Sequence, residues 1–419
     1  SSQLRKVAEK TGIIAMKTGI NSDTGLTNND YFDHIHLARQ REMSLKEHYK
    51  EYADPSKIEW MKLKLLDAAY TEYKKVNNYL DFDDMLCEAI EKDCLPDLDV
   101  IFVDEAQDLS SIQWKVVNSF KNIDKLYLAG DDDQAIYRWM GADVEKFIAF
   151  EAEEEVLPKS YRVKKKIQDF AQRIISPVKN RIPKEWEPKD EEGVLKYHTK
   201  IQGVDLSEGE WLLLARDKYI LAEHIEKWCK DIGLWYVKKD KMTKSWKKPL
   251  SKKLFDAYEG WNALVAGESI DKKTIKKIFF YKHVDDEVND KIENLAESHL
   301  FDLDSLKVVL GNFLTGTWDV ALDKINTVDR AYITRLMRRN IDLEKEFKEP
   351  RIKLSTIHAA KGGECDNVLL AIDMGRKTYI EYMKNSDDER RVFYVGATRA
   401  KNELHILLNQ TKRYLKLQL

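Results

Sequence analysis

The run Val100-Ile101-Phe102-Val103, followed at once by Asp104-Glu105, constrains this chain more than any other feature. An uninterrupted apolar run of that length reads as a buried β-strand. Two adjacent carboxylates at the end of such a strand suit phosphate chemistry. One can hold Mg²⁺, usually through water, while its neighbour polarises an attacking water. A second strand, Lys125-Leu126-Tyr127-Leu128-Ala129, ends in Gly130-Asp131-Asp132-Asp133-Gln134 and continues into Ala135-Ile136-Tyr137-Arg138-Trp139-Met140. A helix around Gln113 to Phe120 separates the two strands. This β-α-β alternation predicts a parallel sheet, with both acidic motifs at the carboxyl ends of its strands, where such sheets bind ligands.

An acidic pair, then a polar Gln, then aromatics is the order expected of a motor that couples nucleotide hydrolysis to a strand of nucleic acid. The 419 residues allow two to four domains. A charged fraction of 34% with 10% aromatics describes a well-solvated protein. No run of about 18 apolar residues predicts a membrane span, and the start, Ser1-Ser2-Gln3-Leu4-Arg5, lacks a signal peptide's apolar stretch. With a net charge of -3, a nucleic-acid surface has to be local. Cys87, Cys94, Cys229 and Cys365 show no CxxC spacing and read as reduced thiols in a cytoplasmic protein. His34 and His36 have no accompanying Cys or His and read as a solvated pair rather than a metal site.

Apolar residues at helical spacing from Ile58 to Tyr79 predict a helix, and Asp81 is placed to N-cap another over Leu80 to Leu86. A second α/β block starts near Val156-Leu157, with strands Gly193 to Tyr197 and Trp211 to Ala215 and a helix from Tyr219 to Ile232. Residues 238–350 are Lys-rich and helical in pattern. The cluster from Lys238 to Lys248 around Trp246 reads equally well as a solvated face or a duplex contact. Strand patterns return at Ile352 to Ser355, Val368 to Ile372 and Leu404 to Leu408. The pattern is that of a helical domain inserted into the second α/β block.

Further motifs follow in order: Lys159-Ser160-Tyr161-Arg162, Ser355-Thr356-Ile357-His358-Ala359-Ala360-Lys361-Gly362-Gly363-Glu364, and Arg390-Arg391-Val392-Phe393-Tyr394-Val395-Gly396-Ala397-Thr398-Arg399. With the first two motifs, from about Leu80 to Leu408, the chain resembles the UvrD/Rep-like branch of superfamily 1 DNA helicases. The resemblance implies an α/β fold of two RecA-like parallel-sheet motor domains with helical accessory insertions. It divides the chain into a helical accessory region at 1–80, the remainder of the first motor domain at 81–155, the second motor domain at 156–237 and 351–419, and a helical insertion at 238–350.

It also implies roles. Asp104 would hold Mg²⁺, Glu105 would activate water, and Gln134 would sense the γ-phosphate of ATP. Arg162 and Arg399 would act as arginine fingers, since guanidinium is permanently charged and forks onto phosphate oxygens. Tyr161 would stack on adenine and Glu364 would bind the ribose. Tyr137 and Trp139 would stack on bases of single-stranded DNA, with Arg216, Thr356 and His358 against its backbone. The implied activity is ATP-dependent 3′-to-5′ DNA unwinding or translocation at single-strand/duplex junctions, of the kind used in replication and repair. Met140 departs from the family pattern, which has Arg after the Trp, and this bears on one phosphate or base contact.

The sequence holds no GxxxxGK[ST] loop. Gly12-Ile13-Ile14-Ala15-Met16-Lys17-Thr18-Gly19 has Met16 where the loop glycine belongs and Thr11 where the first should stand, so it cannot form the backbone N–H cradle for phosphates. The expectation is a helicase without its N-terminal, loop-bearing portion, inactive as an ATPase on its own. The alternatives are a non-motor DNA-binding or scaffold protein descended from such a helicase, and, more remotely, a helicase–nuclease subunit.

Overall fold

The computed structural model describes residues 30–240, 245–311, 315–339 and 343–417. The Gly12-to-Gly19 stretch, Lys241 and Lys244 lie outside these residues. The chain forms two compact units. One runs to Leu221 and resumes at Ser355, with a short return at Asp240–Ser245. The other takes Ala222–Lys239 and Trp246–Leu354.

The first unit opens with helices Asp30–Gln40, Leu45–Tyr52, Trp60–Asn77 and Phe82–Glu91, packed around Phe32, Ile35, Ile58, Leu63 and Leu66. Asp81 caps the last helix as its sequence position implies, accepting from the Asp84 N–H at 2.8 Å. The same carboxylate meets Lys74 at 2.6 Å and Arg39 at 3.1 Å. Burial opposes its charge, but these cations and the cap outweigh it and hold the carboxyl at about 2. The expectation of a solvated His34/His36 pair is corrected. His34 Nδ1 lies 3.0 Å from His48 Nε2 and His36 Nδ1 lies 2.6 Å from the buried Asp83. Alternate positions on one helix turn both rings toward a neighbouring helix instead of water.

Strand Val100–Val103 pairs in parallel with Lys125–Leu128, Val100 opposite Lys125 and Val103 opposite Leu128. The helix between them, Ser111–Ser119, starts at a capping box of Ser110 and Gln113. Burial on both faces does not hold here. Phe102 is 76% exposed and stacks on Tyr127 at 4.8 Å, because no layer among the described residues covers that face. In a second, larger sheet four strands of this unit pair in parallel in the order Val194–His198, Ala400–Leu407, Cys365–Ala371, Trp211–Ala215. Helices Lys165–Ile175 and Asp387–Ala397 pack on it through Ile167, Phe170, Ile174, Val392, Phe393 and Val395. The second block was expected to start near Val156-Leu157, and its first strand spans Lys159–Lys164. Pro158 has no N–H to give a ladder and joins only through its carbonyl, which accepts from the Glu187 N–H.

The other unit is helical, with Lys252–Val265, Lys272–Phe280, Asp286–Glu293, Leu303–Leu310 and Thr327–Arg338 among its elements. Trp235, Trp261 and Tyr332 form its interior, and the Tyr332 hydroxyl donates to the Leu234 carbonyl at 2.5 Å. Its lysines lie largely on its own aromatic and acidic residues: Lys239 over Trp246, Lys248 over Phe347, Lys238 against Glu226 at 2.6 Å. Parallel sheets with helical insertions thus make the α/β architecture. Among the described residues no helix is long and apolar enough to cross a membrane.

Within the first unit, the loop after Lys125–Leu128 is bolted to the second α/β block. Asp132 and Asp133 are essentially inaccessible to solvent. Arg181 forks onto Asp133 through Nε at 2.9 Å and Nη2 at 2.5 Å. Lys184 pairs with Asp132 and lies 2.9 Å from Asp131, and Arg391 Nε donates to the Asp132 carbonyl at 2.8 Å. Two of the three aspartates are therefore held inside the fold by cations and not solvated. Asp133→Ala would leave Arg181 charged and unpaired at a buried site. We expect a loss of about 3–5 kcal/mol of this unit's stability, read as a lowered urea midpoint.

Candidate active site

The Asp104-Glu105 motif sits where its strand stops. Glu105 takes φ 53°, in the left-handed region, and its N–H donates to Asp104 Oδ1 at 2.9 Å. The turn is fixed from behind by Ala106 N–H donating to the Ala129 carbonyl at 2.9 Å. This geometry throws the Glu105 carboxylate off the end of the strand, where Gln107 Nε2 donates to it. Asp104 is exposed at the same edge.

Beside that edge opens a cleft of about 770 Å³, lined by Asp104, Asp131, Gln134, Arg162, Tyr394 and Thr398 among others. Gln134 is oriented by its own Nε2, which donates to Asp131 at 2.8 Å, leaving Oε1 to accept from Arg399 Nη2 at 3.3 Å. Arg399 is 1% exposed. Its Nε donates to the Val395 carbonyl at 2.9 Å and Nη1 to the Gly363 carbonyl at 3.2 Å. Burial first, and then the Arg162 charge, pull its pKa down to about 10. Arg162 approaches Glu364 at 4.0 Å, and its Nε is buried with no hydrogen-bond partner. Two cations converging with a donor unsatisfied describe a place that favours an anion. Tyr161, at the rim, is 82% exposed.

The aromatic motif lies on another side of the same strand ends. Trp139 is 43% exposed, its ring edge-on to His358 at 6.0 Å. Tyr137 is more enclosed. Its hydroxyl donates to the His358 carbonyl at 3.2 Å, and burial, followed by the Asp108 charge, pushes it up to about 12. Thr356 caps the short helix Ile357–Ala360. Arg216 stands apart from this group, forked onto Glu389 at 2.5 and 2.8 Å.

Sequence reasoning passed over Lys361 and Asp108. Lys361 Nζ reaches the Asp108 carboxylate, the Gln134 carbonyl at 2.9 Å and Glu105 at 3.5 Å, with 7% of its side chain exposed. Both residues were visible as charges inside quoted or adjoining motifs. What was lacking was any sign that residues about 250 positions apart would meet.

The fold and the site define a RecA-like α/β arrangement with an anion-seeking cleft between two strand systems. Residues 3–155 match the family model of the UvrD/REP helicase N-terminal domain, and residues 272–411 that of the UvrD-like helicase C-terminal domain. The chain belongs, at low identity, to the UvrD/Rep helicase family. It is 24% identical to the ATP-dependent DNA helicase PcrA of Bacillus subtilis over 457 residues, covering 82% of this chain and 60% of that protein. Shorter stretches are 35% identical to PcrA of Staphylococcus epidermidis over 126 residues, 26% of this chain and 17% of that protein, and 32% identical to PcrA of Staphylococcus aureus over 141 residues, 29% and 19%. The chain spans about 60% of the Bacillus subtilis relative's length.

Burial raises the Asp108 carboxyl to about 6 against the pull of Lys361. The folded state therefore holds a proton that the unfolded chain has already released above about pH 4. Stability from this group is fully present below about pH 4 and is lost as pH rises through about 6. We expect Asp108→Asn to remove that slope. Its stability relative to the parent should rise by on the order of 2 kcal/mol between pH 4 and pH 7 in urea titrations.

Proposed function

We propose that this chain is the greater part of an ATP-dependent DNA helicase or single-strand translocase that moves 3′ to 5′. The observation that carries the reading is the meeting of Arg399 with Gln134 at the anion-seeking cleft, beside the Asp104-Glu105 turn. Glu105 is the base that orients water, Gln134 and Arg399 face the γ-phosphate, and Arg162 with its unsatisfied Nε takes a second phosphate oxygen. Glu364, next to Arg162, is placed for a ribose, and the exposed Tyr161 for the adenine face. The donor set suits Mg²⁺, which needs only one or two carboxylates beside phosphate oxygens and water. No group of three or more potential ligands converges among the described residues. Asp104 would hold the ion, which would neutralise developing phosphate charge.

On the other face, Trp139 offers its ring to the bases of a single strand, and His358 and Thr356 border the same surface. Arg216 is left out of this surface, because its guanidinium is taken up by Glu389. Stacking on bases is sequence-tolerant, which a translocase requires.

Two measurements test the reading. Trp139→Ala should weaken binding of a labelled single-stranded oligonucleotide by about 1–3 kcal/mol in anisotropy titrations; parental affinity would remove the stacking role. In the gene's full-length product, phosphate release should be stimulated by single-stranded DNA and fall about 10³-fold with Arg399→Ala. Strand binding without any strand-stimulated hydrolysis in that product would favour the non-motor reading instead.

A further inference from the structure

Lys361 lies between the two faces just described. Its ammonium touches three acceptors on the hydrolytic side, namely Asp108, the Gln134 carbonyl at 2.9 Å and Glu105 at 3.5 Å. It also sits 5.1 Å from the centre of the Tyr137 ring, and it follows by three residues His358, whose ring meets Trp139. The lysine thus follows the short helix Ile357–Ala360 directly, its charge held first by Asp108 and at a longer 3.5 Å by Glu105. Asp108 Oδ1 is buried with no hydrogen-bond partner, so the Lys361 contact is what compensates this carboxylate.

We propose that Lys361 is the positioning residue through which an occupied nucleic-acid face releases Glu105 for hydrolysis. This inference rests on the function proposed above. A strand phosphate near His358 and Tyr137 competes with Asp108 and Glu105 for one ammonium. When the phosphate wins, Glu105 keeps Gln107 but loses a cation that otherwise competes with water for its exposed oxygens. Without a strand, the ammonium returns to the carboxylates and the base is occupied. The coupling is reciprocal by thermodynamic necessity. Whatever weakens the hold of the carboxylates on Lys361 must strengthen the hold of the strand.

Reciprocity makes the idea testable by strand binding alone. Labelled oligothymidylate is titrated into the parent chain, Asp108→Asn, Lys361→Met and the double variant across a series of salt concentrations. Asp108→Asn should tighten binding at least threefold and steepen the logarithmic salt dependence by about 0.7, the increment for one further phosphate contact on a single strand. In the Lys361→Met background the Asp108→Asn change should shift affinity by less than 1.5-fold, and Lys361→Arg should restore most of the effect. Melting curves identify any variant that fails to fold, and Glu105→Gln repeats the cycle from the second carboxylate. Tightening that persists without Lys361, or none in either carboxylate variant, overturns the coupling and leaves the proposed function intact. If the parent chain binds no oligonucleotide at all, the proposed function itself falls, and this inference with it.

Discussion

The buried pairing of Asp132 and Asp133 with Arg181 and Lys184, together with Arg391 on the Asp132 carbonyl, is the constraint on which the candidate site depends. Gln134 follows these aspartates directly, so wherever they are held, Gln134 is held. Arg391 sits in the same helix that leads to Arg399. One ionic cluster therefore fixes both partners of the Gln134–Arg399 contact. Removing these charges from water costs several kcal/mol per ion, and the forked Arg181 geometry together with backbone donors such as Ile182 N–H, 3.0 Å from Asp132, offsets much of it. A looser surface pair would not hold an angle.

Around that anchor the chemistry divides by sign. The cleft collects guanidinium groups, the turn beside it collects carboxylates, and an ammonium bridges toward the aromatic face. The proposed phosphoryl transfer is mainly a matter of positioning and charge neutralisation, so a scaffold that sorts charge this way would need little else from its side chains.

Much of this architecture was readable from residues. Trp211 to Ala215 was expected as a strand and is one with the same limits, because five apolar residues between turn signals leave little freedom. Asp81 was expected to cap a helix and does, since capping is decided by a few neighbouring atoms. Non-local features were not legible. The aspartate triplet could be read as a turn because its partners lie about 50 and 260 positions away. Lys361 lay unnoticed inside a quoted motif for the same reason, and Arg216 was assigned to DNA without sight of Glu389. Local rules see caps and strands; ion networks are properties of the folded chain.

Glu105 occupies a left-handed conformation that a side chain bearing a Cβ adopts at a cost of about 1–2 kcal/mol. Glycine would sit there more comfortably. Under the role proposed for Glu105, thermodynamic fitness and chemical fitness pull in opposite directions at this position. In a copy that hydrolyses nothing, glycine would be the more robust residue here, so what stands at this one backbone angle reports what the position is kept for.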